Sequence, residues 1–421
     1  MKYLKSFILF IFIFFNPILT LKSQDFWEQL YFPDSADILS IAVNDQQVIY
    51  IGSGAGVYRS DDEGNSWNLL GLENRIVYSI AINNNNDIYA GTSQAPQIGG
   101  LFCSSDDGET WSSVLPDIGA YGNIVAILCL GDTIFASLWM DDASVIRSTD
   151  NGQTWSIVFF TDNTSEYISD IVNSNTGDIY ISLKAYFENR GGVYKSEEGG
   201  DNWEFIGLFN YQVSALALNN SDDLFAGSWG GLTDTTSSGL YVLRNGVEEW
   251  ETLLANPQVS DIIINSENEI YFSSSWPNGV LRSLDNGESF ELVNEGLPDG
   301  IMRDMFLDTL GYLYVTNLIC LAKSINPTVS ISEENLISSE NPWIVYPNPV
   351  NNLLNIRALN NNQINNIEII NIYNSIGKLL ISENVSTIDL LKINVSDLPA
   401  GFYFIEIICD KHKTITKIII N

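Results

Sequence analysis

The segment at 147–155 reads Arg147-Ser148-Thr149-Asp150-Asn151-Gly152-Gln153-Thr154-Trp155. An Asp side chain can accept hydrogen bonds from nearby backbone N–H groups, and this favours a tight turn. Gly152 permits a backbone conformation that residues with a Cβ avoid. Trp155 can then begin the next strand and cover the hairpin with its ring. The segment therefore predicts a strand, a tight turn and a second strand.

The same pattern recurs along the chain. Clear copies occupy 60–67 and 104–111, weaker copies occupy 196–203 and 283–290, and an eroded copy is Asn245-Gly246 followed by Trp250. The aromatic residues of these copies, at positions 67, 111, 155, 203, 250 and 290, are spaced by 44, 44, 48, 47 and 40 residues. Periods of this size are typical of four-stranded propeller blades.

The repeat resembles the Asp box, also called the bacterial neuraminidase (BNR) repeat, of secreted β-propellers such as sialidases and xyloglucanases. Five copies in register make this resemblance specific for architecture. The box is a folding device in proteins of many functions, so it does not define an activity.

Each repeat also contains an inner apolar strand followed by a strand with an aromatic residue. The inner strands are expected at 38–43, 77–82, 125–130, 168–172, 213–218, 259–264 and 302–307. The seventh repeat ends at 321–324 without a box, while the segment 26–30 matches the strand that begins at Trp67. The N-terminal strand is therefore expected to complete the last blade, since ring closure leaves few open edges.

Composition and charge divide the chain into four parts. A basic start and a nine-residue apolar run predict a signal peptide at 1–23, too short for a membrane helix. The propeller is expected at 24–324, a linker at 325–343 and a small β-sandwich at 344–421, so the predicted fold class is all-β.

Residues 24–343 hold 46 acidic and 10 basic residues, whereas 344–421 hold six of each. So acidic a surface argues against nucleic acid and anionic membranes as partners, and no transmembrane segment is expected in the mature chain.

The segment 344–421 resembles the type A C-terminal sorting domain of the type IX secretion system, with its motifs in order. The matching residues are Tyr346, Pro347, Asn348, Pro349, Gly377, Leu398, Pro399, Gly401, Tyr403 and Lys417. The resemblance implies a passenger that crosses the periplasm of a Gram-negative bacterium, contacts the type IX machinery and is then attached to the surface or released.

Few residues suggest chemistry. The only histidine, His412, lies in the sorting segment, and the four cysteines have no metal or disulfide spacing, so neither a metal site nor a cofactor is expected. Sialidase activity is disfavoured because no Arg-Ile-Pro motif accompanies the boxes.

Three tryptophans remain after the box, closing-strand and linker positions are assigned: Trp139, Trp229 and Trp276. They follow the second strand and are expected on the rim opposite the box turns. There they could bind a ligand, or each could pack over its own blade.

Three aspartates, Asp170, Asp261 and Asp304, align on the inner strands. Paired carboxylates can act as acid and base on a glycosidic bond, or bind calcium. Alternatively, each could accept hydrogen bonds from the backbone of the next blade. With the tryptophans, they suit a neutral polysaccharide.

The sequence thus predicts an exported protein whose propeller binds a glycan or a surface protein. The alternative is a carboxylate-dependent glycoside hydrolase of the Asp-box propeller type. A third possibility is an assembly factor, since seven-bladed Asp-box propellers serve photosystem assembly, but the predicted export argues against that role.

Overall fold

The structure is a computed structural model of the chain. It describes residues 25–33, 37–93, 99–115, 122–139, 143–161, 166–185, 191–197, 199–230, 237–275, 277–318, 320–328, 343–346, 350, 353–358, 367–374, 379–384, 391–396, 398–399, 401–409 and 412–420. Within these residues no helix has the length and hydropathy needed to span a bilayer. The chain divides into two compact units at Val329 and Ser330.

In its described residues the first unit contains 28 strands. In chain order they are β1 (Trp27–Leu30), β2 (Ile38–Val43), β3 (Ile49–Ser53), β4 (Gly56–Ser60), β5 (Asn68–Gly71), β6 (Val77–Ile82), β7 (Ile88–Thr92), β8 (Gly100–Ser104), β9 (Ser112–Ser113), β10 (Ile127–Leu130), β11 (Thr133–Trp139), β12 (Ala143–Ser148), β13 (Ser156–Phe160), β14 (Glu166–Asn173), β15 (Ile179–Ala185), β16 (Gly191–Ser196), β17 (Glu204–Gly207), β18 (Val213–Leu218), β19 (Leu224–Trp229), β20 (Ser238–Leu243), β21 (Glu251–Ala255), β22 (Val259–Ile264), β23 (Ile270–Ser275), β24 (Asn278–Ser283), β25 (Glu291–Leu292), β26 (Met305–Leu307), β27 (Leu313–Thr316) and β28 (Leu321–Ser324).

These strands form seven antiparallel four-stranded sheets, the blades of a propeller. Blades 1 to 6 each take four consecutive strands, from β2–β5 through β22–β25. Blade 7 has the order β26-β27-β28-β1, so the N-terminal strand supplies its outermost strand. Trp27 pairs with Ser324 and Leu30 pairs with Leu321. The seven-bladed fold and its closure by the first strand are thus confirmed.

The hydrophobic core lies between neighbouring blades. For example, Ala215 and Phe225 of blade 5 pack with Val259 and Phe272 of blade 6. Inner strands such as β2 are therefore apolar on both faces, whereas the outermost strands such as β5 are largely exposed. This burial on two sides explains why the inner strands read as continuous apolar runs.

The box turns join the third and fourth strands of a blade. In blade 3, Asp150 accepts hydrogen bonds from the Thr154 backbone N–H and hydroxyl, at 2.8 and 2.6 Å. The N–H of Gly152 donates to the Ser148 hydroxyl at 2.8 Å, and its φ of +80° favours glycine. The two bonds from Thr154 lower the pKa of the Asp150 carboxyl to about 2. The boxes are turn-forming elements, and each lies at the end of its blade opposite the C-terminus of the second strand.

Blade 5 shows how a box can erode. Its turn lacks the box serine and aspartate. Asp223, from the turn between β18 and β19, supplies a carboxylate to this turn instead. The Asp223 carboxylate accepts the backbone N–H of Asn245 at 2.8 Å and pairs with Arg244 at 3.1 Å.

The second unit is a sandwich of two antiparallel sheets. Its strands are β29 (Trp343–Tyr346), β30 (Leu353–Ala358), β31 (Ile367–Asn374), β32 (Leu379–Asn384), β33 (Leu391–Asn394), β34 (Gly401–Cys409) and β35 (His412–Ile420). The sheets have the orders β29-β30-β33 and β32-β31-β34-β35. Leu354 and Ile393 of one sheet pack against Ile370 and Ile405 of the other. Of the sorting motif residues, Tyr403 is buried and donates its hydroxyl to the Pro399 carbonyl at 2.6 Å, whereas Pro347, Asn348, Pro349 and Gly377 lie outside the described residues.

Candidate binding site at the central channel

The inner strands of all seven blades surround a central channel. The cavity there has a volume of about 810 Å³. Its walls carry Asp170, Asp261 and Asp304, the cations Lys184 and Arg303, and the aromatic residues Tyr78, Tyr167 and Trp229. The channel therefore combines apolar walls with charges of both signs.

The three aspartates have equivalent positions, and each accepts a backbone N–H from the next blade. Asp170 of blade 4 accepts the backbone N–H of Ile171 and, from blade 5, that of Leu216, each at 2.8 Å. Asp261 of blade 6 accepts the N–H of Ile262 at 2.8 Å and that of Met305 in blade 7 at 2.7 Å. Asp304 of blade 7 accepts the N–H of Ile41 in blade 1 at 2.9 Å. The structure thus places all three on the channel wall and uses their oxygens to join neighbouring blades.

Burial raises the pKa of all three carboxyl groups. The pKa of Asp170 rises to about 6 and that of Asp304 to about 7, in each case chiefly because the channel wall desolvates the charge. The pKa of Asp261 is raised well above its usual range by burial and by the nearby carboxylates of Asp304 and Asp170. The backbone N–H donors oppose these shifts but do not cancel them.

The stability of the propeller should therefore fall as the pH rises from about 5 to 8. A carboxyl whose pKa is higher in the folded state binds its proton more tightly there, so its stabilising effect is full below about pH 4. That effect is lost as the pH rises through the folded pKa values of about 6 and 7. At about 1.4 kcal/mol per pKa unit, Asp170 and Asp304 each contribute a few kcal/mol. Chemical denaturation at pH 5, 6, 7 and 8 measures the slope.

Asp304→Asn should reduce the slope of stability against pH. The amide oxygen of Asn can still accept the Ile41 N–H, but the side chain does not titrate. Asp132→Asn, at an exposed turn, is the control and should keep the wild-type slope. Equal slopes in Asp304→Asn and wild type would show that Asp304 does not titrate in this range.

The three sequence-predicted tryptophans have different environments. Trp229 ends β19, lines the channel and is 39% exposed. Trp139 ends β11 and is half-buried, with its ring 5.5 Å from that of Tyr167 in blade 4. Trp276 lies outside the described residues. The structure therefore brings Trp229 to the channel directly and Trp139 to it through Tyr167.

Lys184 belongs to the same surface and was not singled out by any sequence motif. It lies opposite Tyr167 in the β14–β15 register, and its Nζ is 4.5 Å from the centroid of the Trp229 ring. Trp139, Lys184 and Trp229 each stand two residues after equivalent positions, Ser137, Ser182 and Gly227, in successive blades. Their even spacing of 45 residues in the sequence is the signal that identifies Lys184.

We name this surface the blade 3–5 arc and define it as Trp139, Tyr167, Lys184 and Trp229. It consists of two contacts in neighbouring blades, the ring pair of Trp139 and Tyr167 and the ammonium of Lys184 over the Trp229 ring, linked by the pairing of Tyr167 with Lys184. Such a surface can pack against apolar or planar groups of a ligand and pair with an anionic one.

Candidate metal ligands are sparse. Among the described residues, no cluster of three or more His, Cys, Asp or Glu side chains is arranged to hold a metal ion. Cys103, Cys129 and Cys320 are free thiols that are half-buried.

An Asp-box propeller followed by a sorting sandwich is the architecture of an exported protein. Residues 344–421 match the secretion system C-terminal sorting domain. The protein is accordingly exported by a Gram-negative bacterium through the type IX system, to the cell surface or the medium. Residues 19–307, more than half of the chain, match the family described as photosynthesis system II assembly factor YCF48, and the chain belongs to that family.

Solved structures support the same fold. YCF48 bound to D1 peptide shares 16% identity, with a TM-score of 0.57, and the match covers 72% of this chain and 98% of that one. YCF48 from Cyanidioschyzon merolae shares 14% identity, with a TM-score of 0.55, over 72% of this chain and 99% of that one.

A third match is PorZ, an essential surface component of the type IX secretion system of Porphyromonas gingivalis. It shares 15% identity, with a TM-score of 0.56, over 91% of this chain and 59% of PorZ. At these identities the likeness establishes the fold alone. The chain has no match among curated proteins.

Proposed function

We propose that the propeller is a binding module that holds a polypeptide segment at its central channel, over the blade 3–5 arc. The observation that carries this proposal is the exposed ring of Trp229 beside Lys184 on the wall of an 810 Å³ cavity. Large aromatic residues in such clefts are the usual anchors of protein–protein contacts. The cavity volume also falls within the range of ordinary ligand pockets.

The comparison with YCF48 bound to D1 peptide adds support, because that protein shares the propeller and holds a peptide. Membership of the YCF48 family does not bring the photosystem role with it, since folds host many functions and this chain carries a sorting domain. We propose instead that its ligand is encountered outside the outer membrane.

Binding is favoured over glycoside hydrolysis by the contacts of the channel aspartates. A hydrolase needs one carboxyl to donate a proton and another to attack or activate water. Asp170 and Asp261 each direct both carboxylate oxygens at backbone N–H groups, which occupies them with blade-to-blade contacts. The same contacts weaken the case for a neutral polysaccharide, because these oxygens were the expected acceptors for sugar hydroxyls.

The proposal predicts that Trp229→Ala weakens peptide binding by about tenfold or more, the usual effect of truncating an aromatic anchor. Peptide and glycan arrays probed with the purified full chain provide the measurement, followed by fluorescence anisotropy titration of each array hit. Phe160→Ala removes a 68% exposed aromatic residue from the outer strand of blade 3 and serves as the matched control.

Wild type and Phe160→Ala should bind the same peptides with similar affinity. Retention of neutral glycans without peptides would contradict the proposal and restore the polysaccharide hypothesis. Released sugars from a glycan substrate would instead establish the hydrolase.

A further inference from the structure

Most cations in the described part of the propeller form ion pairs. Ion pairs within the described residues join Arg59 to Asp61, Arg147 to Asp201, Lys195 to Asp178 and Glu197, Arg244 to Asp223 and Glu251, Arg282 to Glu291, and Lys323 to Glu63. Arg75 lies 4.7 Å from the centroid of the Phe102 ring. Lys184 and Arg303 are the other described cations of the propeller, and neither forms an ion pair with a described carboxylate. Both line the central channel.

This distribution is unexpected from the composition. Residues 24–343 contain 46 acidic side chains and 10 basic ones, so carboxylate partners are abundant. Two described cations without such partners, Lys184 from blade 4 and Arg303 from blade 7, nevertheless line the central channel, which also carries Asp170, Asp261 and Asp304.

Lys184 is also held in place by its neighbours. The Trp229 ring lies 4.5 Å from Nζ, and Tyr167 is its cross-strand partner. Aromatic faces attract an ammonium group but do not neutralise it. Burial lowers the pKa of Lys184 to about 8, the direction expected for a cation with no carboxylate beside it.

The carboxylates on the channel wall, those of Asp170, Asp261 and Asp304, form no ion pair with Lys184 or Arg303, and each accepts a hydrogen bond from a backbone N–H of the next blade. Asp170 lines the channel, but both of its oxygens accept backbone N–H groups, from Ile171 and Leu216. The ammonium of Lys184 is thus positioned, partly desolvated and available to an incoming anion.

We propose that Lys184, assisted by Arg303 from blade 7, binds carboxylate groups of an acidic polypeptide segment while Trp229 packs against the adjoining residue. This inference rests on the proposed function and names the class of polypeptide that the channel accepts. The carboxylate comes either from Asp and Glu side chains or from a free C-terminus. The acidic outer surface repels an acidic ligand, whereas Lys184 and Arg303 attract it to the channel. The same charges therefore determine both the class of ligand and the place where it binds.

The test uses the peptides that the full chain retains on the array. Each is synthesised in four forms, with acidic residues kept or replaced by Asn and Gln, and with a free or an amidated C-terminus. Anisotropy titrations compare wild type with Lys184→Gln and with Lys195→Gln, which removes the same charge from a lysine already paired with Asp178 and Glu197. Melting temperatures of all three proteins show whether the fold is intact, and Lys184→Arg tests whether a cation alone restores binding.

Lys184→Gln should weaken the binding of the acidic peptide forms by about tenfold or more, as expected for loss of a charge-assisted contact. The affinity for the neutral forms should not change. If the dependence on Lys184 disappears when Asp and Glu are replaced, the carboxylate is a side chain. If it disappears when the C-terminus is amidated, the carboxylate is the free C-terminus. If wild type binds acidic and neutral forms equally, or if Lys184→Gln weakens both equally, the inference is wrong although the proposed function stands. If no peptide binds wild type, the proposed function itself fails.

Discussion

Deletion of residues 344–421 is expected to abolish export and leave a folded propeller in the periplasm. The deleted residues match the secretion system C-terminal sorting domain and form their own sandwich core. The propeller strands, from Trp27 to Ser324, do not include any of these residues. Immunoblots of periplasm, cell surface and medium measure the distribution, and limited proteolysis of the retained protein reports whether it is folded.

The full chain in a strain without type IX machinery is the control and should accumulate in the same compartment. Wild-type amounts of the truncated protein on the surface or in the medium would contradict the assignment of the export signal.

The second large effect concerns closure of the ring. Trp27→Ala should lower the free energy of unfolding by about 3–5 kcal/mol, the usual loss for a buried tryptophan. Trp27 is 1% exposed, its Nε1 donates to the Val293 carbonyl at 2.5 Å, and its ring packs with Met302 and Met305. It therefore joins the first strand to blade 6 and to the core of blade 7. Denaturation monitored by circular dichroism measures the change.

Tyr31→Ala is the matched control, because this aromatic residue directly follows the same strand but is 72% exposed. It should change stability little. An unfolding free energy of Trp27→Ala equal to that of wild type would show that the N-terminal strand does not close the ring.

Much of the fold could be predicted because its determinants are local and repeated. The turn at Asp150 and Gly152 is specified within eight residues, and repetition at a nearly constant period reveals the blades. The pairing of Trp27 with Ser324 was also predictable, although the two lie at opposite ends of the propeller, because the last repeat lacks a strand and the first segment supplies one.

The site was harder to predict because its contacts cross between blades. The partner of Asp170 is the N–H of Leu216, and the ring beside Lys184 is Trp229, each about one repeat away. A sequence aligned by repeats shows which residues are equivalent, but it gives neither separations nor side-chain directions. A single lysine also carries no motif. Lys184 is distinctive only because, among the described residues, it forms no ion pair with a carboxylate while most propeller cations do.

The most direct test of the central claim is the location of a bound peptide. We would determine the structure of the full chain with an array-selected peptide that binds wild type and loses affinity for Trp229→Ala. The account predicts that the peptide occupies the central channel, in contact with the Trp229 ring and with a carboxylate at Lys184 Nζ. A peptide seated on the box turns, on an outer strand of a blade or on the sorting sandwich would contradict it.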